Sequence, residues 1–275
     1  MACLFRDATL YLKEFIEYYL LNGVTKFYLG NNLSTDDYMR VLYPYVLQGK
    51  VELIDVNQDD PYNFEWVIHT PFYQQLIERL KGKVKWLMCL DSDEFIVPIR
   101  HNTIADALIE YEDWASVAVN WSLYGSRYHS IPAGKLLVEV NQERAVKYAP
   151  EHLAVKHIVR PDRVIFDDVH HVRGISGAKV ALTNGYSPYG QIQGELPGLH
   201  HNPTDTLVIN HYNIGTIDYY NNIKAPFYAK YVRPDAPNRD YILGRANLGA
   251  YLEESDDCIS KFIPQLKEKI FNDPG

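Results

Sequence analysis

Lys85-Trp86-Leu87-Met88-Cys89-Leu90-Asp91-Ser92-Asp93-Glu94-Phe95-Ile96-Val97-Pro98 opens as a short apolar run and closes in a burst of carboxylates. A run of that length and content reads as a buried strand. Asp and Glu are poor strand residues and costly to bury unpaired, so the strand is expected to stop at Asp91. It then delivers acidic side chains to its carboxyl end, the edge at which open α/β sheets bind ligands. Asp91 and Asp93 are two residues apart, so both can turn toward one point if the segment stays extended. Hard oxygen ligands beside open space suit Mn²⁺ or Mg²⁺, above all an ion whose other ligands are phosphate oxygens. The competing reading of the same residues is a solvated turn or a helix cap.

Working back from this stretch, the chain alternates. Ala2–Phe5 is a short apolar run. Leu10, Leu12, Phe15, Ile16, Tyr19 and Leu20 recur at helical spacing, and Asn22-Gly23 ends that helix. Val24–Leu29 reads as a strand, Ser34 as the cap of a helix carrying Val41, Leu42, Tyr45, Val46 and Leu47, and Val51–Val56 as a third strand. Strand, helix, strand, helix, strand is the pattern of a parallel sheet wound through right-handed crossovers. Asn63–Leu80 reads as a helix with a break or restart at Pro71.

Downstream, Thr103–Tyr111 is a short helix, and Ser116–Trp121, Leu136–Val140 and Leu153–Val159 are strands. Val164–Val172 carries Asp167, Asp168, His170 and His171. Gly174–His201 has no clear period and is rich in Gly, Pro and Tyr, as a functional loop or a lid over bound substrate would be. Leu207–Asn210 is a strand running into His211-Tyr212, and the rest is helical in pieces. No repeat or linker divides the chain. We read it as one domain with a nucleotide-binding half over residues 1–100, an acceptor half over 101–215 and a helical segment over 216–275.

Composition narrows the partners. The 275 residues carry a net charge of −8, which argues against nucleic acid as a partner. No signal peptide or long apolar stretch is visible, and Cys3, Cys89 and Cys258 are odd in number and far apart. That usage fits a reducing compartment and a cytoplasmic location. The 22 tyrosines suit contact with sugars, whose CH faces and hydroxyls match an aromatic face with a polar handle, and suit a tyrosine-tolerant core at least as well.

His211 is the second anchor, since it too is delivered to a sheet edge; a neutral imidazole beside two carboxylates makes a divalent site that favours Mn²⁺ over Ca²⁺. His170-His171 and His200-His201 lack the helical spacing of a zinc hydrolase. Lys156, Arg160 and Lys224 are cations near predicted sheet edges or helix starts, placed to bind a diphosphate. The chain has no Gly-x-Gly-x-x-Gly, no phosphate loop and no Gly-x-Ser-x-Gly elbow, which removes the main support for dinucleotide redox chemistry, P-loop hydrolysis and α/β-hydrolase chemistry.

Several blocks together resemble a known family. Tyr11–Tyr18, Gly23-Val24, Phe27–Leu29 and Ser34-Thr35-Asp36, then Asp91-Ser92-Asp93-Glu94-Phe95 with Val97-Pro98, Asn120-Trp121 with Gly125-Ser126, Lys156-His157-Ile158-Val159-Arg160-Pro161, and Ile209-Asn210-His211-Tyr212 are similar in order and spacing to the GT-A glycosyltransferases of family 92 and their bacterial family-2-like relatives. The resemblance implies a GT-A fold, a nucleotide-sugar donor (commonly UDP-linked), a glycan or other hydroxyl acceptor, and inversion at the transferred sugar. It implies Mn²⁺ held through Asp91 and Asp93, with His211 as the carboxyl-terminal ligand. Arg6, Asp7 and Asn31 fall on the nucleotide side, where the chain departs from the family's Lys-Asn-Glu and Tyr-Asp-Asn-Asn blocks. An inverting route needs a carboxylate to take the acceptor's proton. Asp168 is the candidate, with Asp167 and Glu195 behind it, and Asn120 and Trp121 are expected at the acceptor or sugar. The alternative from another class is a non-catalytic module binding a carbohydrate or nucleotide sugar on the same scaffold.

Overall fold

The protein is described from a computed structural model that covers residues 1–146, 149, 152, 154–182, 206–232, 234–235 and 239–272. Its strands are β1 (Ala2–Phe5), β2 (Phe27–Asn31), β3 (Val51–Asp55), β4 (Leu87–Cys89), β5 (Glu94–Pro98), β6 (Ser116–Leu123), β7 (Glu143–Arg144), β8 (Val155–Val159), β9 (Val164–Asp168), β10 (His171–Gly174), β11 (Val180–Leu182), β12 (Leu207–His211) and β13 (Glu254–Ser255). One large sheet runs β3-β2-β1-β4-β8-β6-β12-β5, and β11 also pairs with β6. Most of its pairings are parallel; β8 lies antiparallel to both β4 and β6, and β5 antiparallel to β12. β9–β10 and β7–β13 are separate two-stranded ribbons. This is the α/β architecture expected of a GT-A chain.

The first half follows the expected alternation: α1 (Thr9–Leu21) and α2 (Tyr38–Leu47) cross between β1, β2 and β3, which pair in parallel. The second strand starts at Phe27 rather than at Val24, because the Val24 amide is spent closing the end of α1 on the Tyr19 carbonyl. Ser34 does not cap α2. Its hydroxyl accepts the Asp7 amide, and Asp37 stands at the helix start without a side-chain bond. A wide helical turn over Glu65–His69 runs without a break into α3 (Thr70–Leu80), and the widened turn stands just ahead of Pro71, which has no amide to donate.

The deciding stretch contains two strands, not one. β4 ends at Cys89, a turn carries Asp91 to Asp93, and β5 starts at Glu94 at the far end of the sheet order. The acidic turn therefore bridges two distant parts of a curled sheet. Tyrosines fix it from both sides. From α3, the Tyr73 hydroxyl donates to the Leu90 carbonyl at 2.9 Å. From α1, Tyr18 donates to the Ile96 carbonyl at 2.6 Å, while Tyr19 donates to the Glu94 carbonyl and accepts the Ile96 amide, both at 2.9 Å. All three rings are fully buried, and each bond contributes about 1 kcal/mol.

Two further expectations are corrected downstream. Leu136–Val140 is not a strand; Leu137–Val140 forms a short helical turn because the buried Glu14 carboxylate of α1 accepts the Leu137 and Val138 amides, each at 2.9 Å, as an N-cap supplied from another helix. The segment from Gly174 is not all loop, since β11 pairs in parallel with β6; residues 183–201 of the expected lid, Glu195 among them, lie outside the described residues. The three cysteines are unpaired, and among the described residues no helix is long and apolar enough to cross a membrane.

Candidate active site

A cleft of about 1070 Å³ opens at the carboxyl ends of β1 and β4. Its floor is Asp91, Ser92 and Asp93, one wall holds Trp121, Leu123 and His211, and the opposite wall is a helical run over 217–231. His211 arrives by register: as the last residue of β12 it pairs with Glu94 of β5 and Leu123 of β6. The Tyr212 amide then donates to the Asp93 carbonyl at 2.9 Å, so the imidazole and the acidic turn are tied through backbone.

Three carboxylates within four residues need answering charges, and each finds a different environment. The Asp93 carboxylate meets the Lys224 ammonium from the helical run, and His211 Nε2 lies 3.4 Å from the same Oδ2. Burial alone would raise Asp93, but the Lys224 ammonium, with the polar His211 ring beside the same oxygen, outweighs it and holds the carboxyl far below its usual range. The Asp91 carboxylate turns the other way, accepting from Lys156 Nζ at 2.8 Å and facing His69 Nε2 at 3.2 Å. These cations likewise overcome burial and keep it ionised. Glu94 is fully buried; Oε2 accepts the Asp91 amide at 2.8 Å, while Oε1 has no hydrogen-bond partner. With Lys156 committed to Asp91, burial pushes Glu94 up to about 8.

His69 and Glu65, neither of which stands out in the sequence, complete this network. His69 Nδ1 faces Glu65 Oε2 at 2.8 Å, and although burial favours the neutral ring, Asp91 and Glu65 bring its pKa up to about 9. Their spacing of four residues on one helical turn was the only available signal.

Of the expected metal ligands, the structure brings Asp93 and His211 together and turns Asp91 onto Lys156 and His69. Among the described residues no three His, Cys, Asp or Glu side chains converge as a metal-holding group. The Asp93 carboxylate and the His211 imidazole, 3.4 Å apart, are donor types that could hold a divalent ion, and the Lys224 ammonium lies on the same Asp93 oxygen. Burial keeps the His211 ring neutral, as a ligand must be, and its Nδ1 is buried without a hydrogen-bond partner.

The other expected site residues divide. Lys224, Arg6 and Asp7 line the cleft. Arg6 donates to the Asn32 carbonyl at 2.6 Å, bonds the Tyr231 hydroxyl and lies 3.5 Å from Asp59. Asp7, at a left-handed φ of 49°, accepts the Thr35 amide at 2.6 Å and so shapes the rim. Asn31 is structural: it donates to the Tyr38 hydroxyl and accepts the Ser34 amide, while its neighbour Asn32 reaches the cleft. Lys156 is only 2% exposed, beneath Asp91, and does not line the cleft. Arg160 is away from it too, lying over the Trp86 ring at 4.6 Å. Trp121 does line it, its ring 4.4 Å from His211, whereas Asn120 is buried and donates to the His152 carbonyl. Asp168 lies outside the cleft lining, its carboxylate bound by His171 Nδ1 at 2.7 Å and by the His170 amide. Asp167 pairs with Arg173. His170 and His171 take opposite directions, His170 Nδ1 facing the Val155 carbonyl at 2.7 Å.

The model of glycosyltransferase family 92 matches residues 1–227. No curated protein is similar enough in sequence to count as a relative. Among solved structures, S. aureus TarS is 11% identical, with a TM-score of 0.36 over 58% of this chain and 28% of that one. TarS 1-349 in complex with UDP-GlcNAc is 9% identical, with a TM-score of 0.38 over 90% and 70%. HddC from Yersinia pseudotuberculosis is 13% identical, with a TM-score of 0.33 over 80% and 95%. The chain thus spans less than a third of the length of the first of these.

Proposed function

The chain belongs to glycosyltransferase family 92, and from that premise we propose that it moves a sugar from a nucleotide-diphosphate donor, UDP-linked in our reading, to a hydroxyl acceptor. The observation that carries this is the meeting of Asp93, His211 and Lys224 where the floor joins both walls of a cleft of about 1070 Å³ at the carboxyl edge of the sheet. That volume holds a nucleotide sugar with room for an acceptor.

Asp93 and His211 would hold Mn²⁺ or Mg²⁺, which when bound neutralises the diphosphate and lowers the cost of its departure. Lys224, beside Asp93, is placed to meet negative charge as it grows on the leaving phosphate. Asp91, fixed by Lys156 and His69, holds the turn rather than the donor. Arg6, with the rings of Phe64, Phe227 and Tyr231, forms the wall at the far side, where a base can stack; Phe227 and Tyr231 are themselves stacked at 4.3 Å. Trp121 offers a face to the transferred sugar, and its buried Nε1–H has no protein acceptor. Inversion also needs a carboxylate to take the acceptor's proton, and Asp168, outside the cleft lining with its carboxylate on His171 and the His170 amide, is not placed for that role in this structure.

The test is incubation with a panel of UDP-sugars and Mn²⁺, reading free UDP and acceptor mass. Transfer or donor hydrolysis that requires Mn²⁺ supports the proposal. Donor binding with no turnover across a broad acceptor panel sinks it and favours a carbohydrate-binding module on the same scaffold.

A further inference from the structure

Every cation facing the cleft near its floor or nucleotide wall has an acidic partner, with one exception among the described residues. Lys224 is held by Asp93, and Arg6 and Lys230 by Asp59. Arg245 lines the same cleft and has no carboxylate partner among the described residues. Its Nη1 donates to Asn213 Oδ1 at 3.2 Å, its Nε is buried without a hydrogen-bond partner, and its guanidinium lies over the Tyr241 and Tyr251 rings at 5.3 and 5.9 Å. Asn213 in turn reaches His211 Nε2 at 3.5 Å and donates to the Tyr228 hydroxyl at 3.2 Å. One side chain therefore separates Arg245 from the imidazole beside Asp93. The residue also lies past the end of the family match at 227.

A guanidinium that lines a cleft with no counter-charge among the described residues is short of an anion. Two aromatic faces orient it without neutralising it. Its planar fork matches two phosphate oxygens at once, which an amide or hydroxyl cannot do. We propose that Arg245 is a donor-binding residue that grips the terminal phosphate of the nucleotide diphosphate. This rests on the nucleotide-sugar reading above and adds to it a contact supplied by the carboxyl-terminal segment. A purely structural Arg245 would serve only to pack Tyr241 and Tyr251 and to hold Asn213.

The experiment is calorimetric titration of the full chain, in Mn²⁺, with UDP, UMP and uridine, for wild type, Arg245→Met and Arg245→Lys, with melting temperatures alongside. Loss of a charge-assisted contact should weaken UDP by about 10- to 100-fold in Arg245→Met and leave uridine unchanged. Arg245→Lys keeps the charge without the fork and should fall between, and it decides alone if Arg245→Met does not fold. Equal weakening of UDP and uridine, or unchanged UDP affinity in folded variants, overturns the assignment. So does unchanged UDP affinity accompanied by lost binding of inorganic phosphate to the UDP-loaded protein, which would place the anion on the acceptor. A wild type that binds UDP beside an Arg245→Met that binds it equally refutes only this assignment, whereas a wild type that binds no nucleoside diphosphate refutes the donor reading itself.

Discussion

Lys156 offers the sharpest test of how the acidic turn is held. Its side chain is 2% exposed, and its Nζ lies 2.8 Å from Asp91 and 3.8 Å from Glu94. Burial opposes its charge, yet the two carboxyl groups raise its pKa above the ordinary lysine value. Lys156→Met removes the cation and leaves methylenes of similar bulk. Asp91 then keeps His69, at 3.2 Å, and, with its side chain 33% exposed on the cleft floor, the water of the cleft. Deleting one partner of a fully buried pair costs about 3–5 kcal/mol and of an exposed pair about 1 kcal/mol or less, and this pair lies between. Glu94 already favours its proton and adds little, so we expect about 2 kcal/mol. At about 2–4 °C per kcal/mol for a chain of this size, the melting temperature should fall by roughly 4–8 °C. Urea unfolding followed by circular dichroism at pH 7 reads the loss directly. The paired variant Lys156→Met/Asp91→Asn removes both charges and should recover at least half of it. A single variant within about 1 kcal/mol of wild type, or a double variant no more stable than the single, would show that Asp91 does not depend on Lys156.

Other expectations follow from the same geometry. Asp93→Ala should cut sugar transfer by at least about 100-fold with the fold intact, and wild-type transfer in that variant would remove Asp93 from the chemistry. Burial pushes Glu14 from the ordinary 4.5 up to about 7 despite its two amide donors. A carboxyl raised on folding binds protons in the native state, so its contribution is complete below about pH 4.5 and is lost as pH climbs through 7, a change of about 3 kcal/mol. Glu14→Gln should flatten the stability profile across that window, and an unchanged slope measured by urea midpoints counts against the assignment. Gly215 sits at φ 68°, and a Cβ there would stand 2.1 Å from the Tyr11 hydroxyl oxygen. Gly215→Ala should cost about 2–4 kcal/mol from backbone strain and displacement of a fully buried ring, readable as a lower urea midpoint.

The strand–helix alternation of the first half was legible because its apolar positions repeat at 2 and 3.6 residues, and β1, α1, α2 and β3 fall where the pattern puts them. His211 was legible for a similar reason: an apolar strand ended on it. The failures share a cause, since each element depends on a partner remote in sequence. Leu137–Val140 turns because Glu14, more than a hundred residues earlier, caps it. The split of the acidic stretch into β4 and β5 follows from β12, which pairs with β5. Asp91 and Asp93 share a spacing that lets them face one point, but Lys156 and Lys224 pull them to opposite sides. Asn120 and Trp121 are neighbours, yet strand alternation sends only the tryptophan into the cleft.

The buried hydroxyls of Tyr18, Tyr19 and Tyr73 give the cleft an asymmetry that bears on turnover. The acidic jaw is clamped through main-chain atoms at both ends and cannot yield without loosening the core. The facing jaw, the run over 217–231, is tied through backbone at its start, where the Ile217 amide donates to the Tyr128 carbonyl at 2.9 Å, and beyond that meets the rest of the cleft by side-chain tips: Lys224 on Asp93, Tyr231 on Arg6, Lys230 on Asp59. Such fastenings are the first that an incoming polyanion would compete for. Loading and discharge of the cleft should therefore proceed by release of that second jaw, with the first acting as a fixed anvil.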